Sequence, residues 1–136
     1  MAIVMTQDEL KARTRAFAIE IVQMVLQLGQ DDLARLMRPQ LLRSGTGVAT
    51  NYRAACRGRS TREFASRLAV ALEEADESEL WLDILEVLGR QPAKIIKLLR
   101  QEAIELRAIF SSAHATTLRR LKAERERRKV QKSRNP

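Results

Sequence analysis

STREFASRLAVALEEADESELWLDILEVLG, running from Ser60 to Gly89, is the stretch that decides the fold. Ser60 followed by Glu63 has the spacing of a capping box, in which a hydroxyl and a carboxylate satisfy each other's orphan amides at a helix start. Phe64, Leu68, Ala71, Ala75, Ser78, Leu82 and Leu85 then recur at alternating four- and three-residue steps, and Trp81 and Ile84 widen the same face. That period is the seam of a helix lying at a shallow angle along its neighbours. The helix should run to about Leu88 and close at Gly89.

The flanking segments repeat this grammar. Downstream, Pro92 suits the opening turn of a helix with Ile96, Leu99, Ala103, Leu106, Phe110 and Ala113 on one stripe. Upstream, Gly58 is placed to take the left-handed position after a helix whose seam reads Leu41, Ser44, Val48, Asn51 and Ala55, with Pro39 in its first turn. Asp31 or Asp32 would cap a separate short turn before it. At the start of the chain, Thr6 and Glu9 form another capping box before Leu10, Thr14, Phe17, Ile21, Met24 and Leu28, and Gly29 ends that helix. Four amphipathic helices with short links predict an all-α, antiparallel four-helix bundle over residues 1–121. The apolar stripe stops near Leu121, leaving 122–136 as a basic C-terminal tail, either an extended helix or disordered.

Within the second helix, Ser44 to Thr50 are nearly all small, and Gly45 and Gly47 each cost about 1 kcal/mol of helix propensity relative to alanine. As a helix, the run marks the closest helix–helix approach, with Gly47 in contact and Asn51 a buried polar residue that sets register. The competing reading is a loop.

Composition excludes whole classes of chemistry. Forty-five per cent of the 136 residues are apolar, enough for a core, while five glycines, three prolines and 4% aromatics are too few for a turn-rich β fold. No stretch approaches a membrane span, and Met1 to Asp8 lack the basic lead and apolar core of a signal peptide, so a cytoplasmic protein is expected. Cys56 has no second cysteine to bridge and His114 no second histidine to share a metal, which predicts no metal site, no cofactor and no catalytic residue. There is no glycine-rich phosphate loop and no nucleophile elbow, so neither an enzyme nor a small-molecule substrate is expected.

Charge is the informative feature. The net charge is +8, of which +7 falls in residues 119–136, where Arg119, Arg120, Lys122, Arg125, Arg127, Arg128, Lys129, Lys132 and Arg134 face only Glu124 and Glu126. A second basic segment, 38–67, carries Arg53, Arg57, Arg59 and Arg62 around the second turn, and a wholly acidic block from Glu73 to Glu86 follows it. Such poles attract polyanions at one end and basic partners or further copies at the other, although an acidic helix face is ordinarily just solvated. The apolar residues Ile19, Val22, Val25, Leu72, Trp81 and Ile84 exceed what one seam uses, and predict a second, self-associating face.

Three pieces resemble a known family in their order and spacing: Gln40–Ser44, Gly47–Asn51 and Arg57–Phe64. They are similar to the helix-two and turn signature of the bacterial four-helix bundle proteins, some of which are encoded in intervening sequences of 23S rRNA genes. Glu74–Glu77, Leu80–Leu82, Leu98–Leu106 and Ile109-Phe110 extend the likeness through helices three and four, although Ala55-Cys56 stand where relatives commonly have Glu-Gly. The resemblance implies a homo-oligomer, pentameric in some members. It also implies kinship with the accessory protein of diversity-generating retroelements, a partner of reverse transcriptase and RNA.

The expected function is therefore a non-enzymatic scaffold that binds nucleic acid, RNA first, through backbone phosphates. Arg53, Arg57, Arg59, Arg62 and the nine tail bases supply the contacts; Gly47, Asn51, Gly58 and Ser60 shape the frame. Arginine suits this because its planar fork pairs bidentately with phosphate, whereas Tyr52 alone is no platform for reading bases. The alternative is a protein-interaction adaptor whose basic tail engages an acidic partner.

Overall fold

The computed structural model describes residues 5–135; the amino-terminal Met1–Val4 part of the leader reading lies outside the described residues. Four helices account for nearly all of it: α1 (Gln7–Val25), α2 (Asp32–Cys56), α3 (Thr61–Val87) and α4 (Ala93–Arg134). Each packs against the next in sequence, and α1 closes the ring on α4. This is the expected antiparallel bundle. Among the described residues, no helix is long and apolar enough to cross a membrane.

The helix starts are locally determined. At α1 the Thr6 hydroxyl accepts from the Glu9 amide at 3.1 Å while the Glu9 carboxylate accepts from the Thr6 amide at 3.1 Å, a complete capping box. At α3 only half the box forms. The Ser60 hydroxyl accepts from the Glu63 amide at 3.1 Å, but the Glu63 carboxylate reaches one residue further back, to the Arg59 amide at 3.0 Å. The α3 end is tied by bonds from the Gly89 amide to the Glu86 carbonyl and from the Arg90 amide to the Leu85 carbonyl, both 3.0 Å. Gly89 takes the φ of +66° that this closure requires.

Four local readings are corrected. Asp31 caps α2 itself, accepting from the Ala34 amide at 3.0 Å, so the separate short turn and the second helix are one helix with Pro39 inside it. Loss of one helical hydrogen bond at Pro39 is offset because Ala34, Met37 and Leu41 are buried on one continuous face, with the proline ring on the exposed side. Second, α1 ends at Val25, ahead of Gly29, through a tight turn in which Gln27 donates to Met24 and Leu28 to Val25. Third, Gly58 is not left-handed. A side chain there would stand 3.0 Å from the Ala55 carbonyl oxygen and 3.2 Å from the Phe64 amide nitrogen, so lack of room in the tight α2–α3 link, not backbone handedness, favours glycine. Fourth, Asn51 is half-buried and donates at 2.9 Å to the Gly47 carbonyl of its own helix, so it spends its amide locally and does not reach across the seam.

The buried polar contact between helices is instead Ser44 with Ser78, whose hydroxyls lie 2.9 Å apart with both residues fully enclosed. The small stretch of α2 is helical and is approached from two sides. A Cβ on Gly45 would sit 2.7 Å from Cγ2 of Ile21 on α1, and one on Gly47 would sit 2.7 Å from Oε2 of Glu74 on α3. Phe17, Ile21, Met24, Leu41, Leu68, Leu82, Leu99, Leu106 and Phe110 fill the centre, where the Tyr52 ring stacks on Phe110 at 5.7 Å. Most of the proposed second apolar face is absorbed here: Val25 is fully buried, and Leu72, Trp81 and Ile84 pack against the core, while Ile19 stays exposed. A bundle this slim needs a wide apolar stripe on every helix.

Glu74 shows the cost of close packing. One of its oxygens is buried over Gly47 without a hydrogen-bond partner, and burial pushes its carboxyl pKa up, helped by the Glu77 charge. A raised carboxyl pKa means the folded state holds the proton more tightly than the unfolded chain does. Stability associated with this group is therefore full at acid pH and is lost as pH rises through the folded-state value. Glu74→Gln, which cannot ionise, should raise stability by about 1 kcal/mol at neutral pH, with the advantage shrinking on acidification. Thermal melts at the two pH values check this, and a loss of stability at neutral pH would contradict it.

Candidate nucleic-acid interface

The arginines fall into two groups. Along the bundle body six pair with carboxylates, and Arg15, Arg38 and Arg67 make no ion pair among the described residues. Arg13 of α1 donates to Glu102 of α4 through Nε at 2.8 Å and Nη2 at 2.6 Å, and these bonds to the carboxylate hold the guanidinium pKa above its ordinary value. Arg43 of α2 pairs with Glu77, and Arg107 of α4 pairs with Glu79 and, at 2.9 Å, with Asp76. Arg100 lies 3.3 Å from Glu86 and 3.5 Å from Asp83. Of the acids from Glu73 to Glu86, only Glu73 makes no ion pair among the described residues. The acidic face of α3 is thus flanked on both sides by its neighbours' arginines, where the sequence suggested a solvated face or a pole for assembly.

At the other end of the bundle this compensation stops. Arg53, Arg57, Arg59, Arg62 and all nine bases between Arg119 and Arg134 are exposed, and none makes an ion pair among the described residues. The reason lies in the geometry of α4. At 42 residues it exceeds the 27 of its partner α3, so at about 1.5 Å per residue it extends roughly 20 Å past the bundle. Thr117 is its last buried residue. From Leu121 the same face continues through Arg125, Arg128 and Lys132 at three- and four-residue steps, so the stripe that buries Phe110 upstream becomes basic where no helix remains to cover it.

This end gathers residues from distant parts of the chain. Arg62 from the first turn of α3 and Arg125 and Arg128 from α4 line a common cleft of about 460 Å³, floored by Ser60, Thr61 and Leu121. The Thr61 hydroxyl donates to Glu124 at 3.3 Å, joining the start of α3 to the α4 arm. Arg120 lines an adjoining cleft of about 450 Å³ with Gln7, Cys56, Phe64 and Thr116, and the two clefts share Ser60 and Thr61. Arg119 donates to Thr116 of its own helix. Arg127 shares a shallow groove with Arg128 and Gln131. Arg53, in the last turn of α2, and Arg57 and Arg59, in the α2–α3 link, are exposed and line neither cleft; Lys122, Lys129, Lys132 and Arg134 lie along the arm. The contribution of Thr61, Leu121 and Glu124 is not apparent from the sequence, where nothing signals that the α3 start and the arm meet.

No aromatic ring is offered to a base by Tyr52, which is 3% exposed and whose phenol pKa burial pushes far up. Among the described residues, no group of three or more histidine, cysteine or carboxylate side chains is placed to hold a metal ion.

Residues 7–112 match the family model described as 23S rRNA-intervening sequence protein. The chain belongs to that family. The chain is similar to a protein of unknown function from the S23 ribosomal protein family of Bacteroides thetaiotaomicron, solved at 1.70 Å, at 28% identity and a TM-score of 0.73. That likeness covers 82% of this chain and 99% of the other. No curated protein matches. The family match ends before Arg119, so the basic arm lies outside the part of the chain that defines membership.

Proposed function

We propose that this member of the 23S rRNA-intervening sequence family is a non-enzymatic scaffold that binds nucleic acid, RNA first, through backbone phosphates. The observation that carries the reading is the uneven partition of charge: Arg13, Arg43, Arg100 and Arg107 on the body are engaged by carboxylates and Arg15, Arg38 and Arg67 are scattered exceptions, whereas the thirteen basic side chains gathered at one end make no ion pair among the described residues. An array of unpaired guanidinium and ammonium groups along a projecting helix is an electrostatic footprint for a polyanion, and binding of this kind is largely independent of base sequence. The adaptor alternative keeps its basic arm but loses its acidic assembly surface, because the α3 acids are already engaged.

Self-association, with a pentamer as the family's suggestion, is part of the proposal. It is supported by Leu98, 61% exposed, and Ile95, which with Met24 border a groove between α1 and α4. Partnership with a reverse transcriptase is proposed from the retroelement resemblance, and cytoplasmic residence from the sequence of the chain's first residues and its lack of a membrane-length apolar stretch.

The test is whether protein purified without nuclease carries nucleic acid, read from its absorbance ratio before and after nuclease treatment, followed by titration with single-stranded RNA over a range of salt. Nuclease-sensitive absorbance and a steep fall of affinity with salt are expected. Protein free of nucleic acid that ignores RNA at low salt would favour the adaptor.

A further inference from the structure

We infer that the cleft between the start of α3 and the α4 arm is a clamp for a terminal phosphomonoester of a nucleic-acid strand; this rests on the nucleic-acid reading above and assigns one place within that surface a specific ligand. Three guanidinium-bearing side chains line the cleft from two helices, Arg62 from α3 and Arg125 and Arg128 from α4, and none of them has a carboxylate partner among the described residues. The only acid lining it is Glu124, which is engaged by the Thr61 hydroxyl. Three positive charges and one negative leave about +2, which matches a phosphomonoester of charge about −1.5 to −2 at neutral pH better than a diester of −1.

Geometry favours the same ligand. A monoester presents three terminal oxygens, and guanidinium forks converging from both walls have an oxygen each to engage. A phosphodiester within a strand has two free oxygens, and its two ester links need exits on both sides. Here Thr61 and Glu124, joined by their hydrogen bond, and Leu121 line the cleft and offer no positive charge to a second ester link. The Ser60 hydroxyl, which accepts from the Glu63 amide, still has its hydrogen to donate, with no acceptor among the described residues. The adjoining cleft, bordered by Phe64, Thr116 and Arg120 and continuous through Ser60 and Thr61, offers the exit for the rest of the strand.

The chemistry requires a terminal phosphate, which either the 5′ or the 3′ end can supply. The test is competition by short unlabelled RNA strands of one sequence, bearing a 5′-phosphate, a 3′-phosphate or hydroxyls at both ends, against a labelled reporter on the full chain. A roughly tenfold preference for one phosphorylated end over the doubly hydroxylated strand is expected, and the end preferred names the source. Replacing Arg62, Arg125 and Arg128 together by Gln should bring that ratio to one while the hydroxylated strand still binds through the other bases. Equal affinity for all three strands in the native chain overturns the clamp and leaves the nucleic-acid reading standing. Failure of every strand to displace the reporter, or of the reporter itself to bind, overturns both. Persistence of the preference in the triple variant removes these arginines as its cause and overturns the assignment.

Discussion

Truncation after Leu121 is expected to lower RNA affinity about tenfold or more while leaving the helical circular-dichroism signal per folded residue and the melting temperature near those of the full chain. The two outcomes separate because the last buried residue of α4 is Thr117, so removal of 122–136 takes no core residue and, of the side-chain bonds to other helices, only that from Thr61 to Glu124. Salt dependence gives the more specific readout. Each phosphate contact on a single strand releases about 0.7 of a counterion, so losing some three to five contacts should flatten the slope of log K against log salt by about 2–3.5. The arm is helical through Arg134, so its bases are held on a common rod and lose less freedom on binding than a disordered tail would. Two contacts are removed by truncation from the clamp as well, Arg125 and Arg128, whereas Arg53 at the end of α2 and Arg57 and Arg59 in the link after it remain. Unchanged affinity and slope would show that the arm does not contact nucleic acid.

Gly45→Leu is expected to destabilise the bundle by about 3 kcal/mol, lowering both the denaturation midpoint and the melting temperature. Even the first added carbon would lie 2.7 Å and 2.9 Å from two carbons of Ile21, whose side chain is fully buried and has nowhere to retreat. Gly47→Leu meets a different neighbour. Its Cβ contacts the far end of the Glu74 side chain, which can swing toward solvent and in doing so release an unpartnered buried oxygen. Its cost should be about 1 kcal/mol, at the low end of overpacking. Parallel denaturation of the two variants checks the order, and a larger effect at Gly47 would reverse this account of the α2 contacts.

The elements whose information is local were legible from the residues. Thr6 and Glu9 complete a capping box within one turn, Gly89 closes α3 by bonds to carbonyls a few positions back, and the seams of α3 and α4 recur at a spacing only a helix brings to one face. Pro39 misled because its preference for a first turn is a local average, and a buried face through Ala34, Met37 and Leu41 outweighs one missing hydrogen bond. Gly58 misled for the opposite reason. Its need is for space against the Ala55 carbonyl, a contact that handedness rules do not contain.

By itself, then, the amino-acid order determined four helices, their short links, their apolar faces and the excess of basic residues in the last eighteen positions, because period, caps and charge count are properties of neighbours along the chain. Tertiary structure alone decided which charges are available. Arg43 and Arg107 look no different in sequence from Arg62 and Arg128, yet the first two meet carboxylates of α3 and the second two meet none. It also decided that Ser44 pairs with Ser78 and that the start of α3 meets the α4 arm at Thr61 and Glu124, sixty-three positions apart. Coulomb energy and hydrogen bonding depend on distance in space, and only the packing of one helix on another sets that distance.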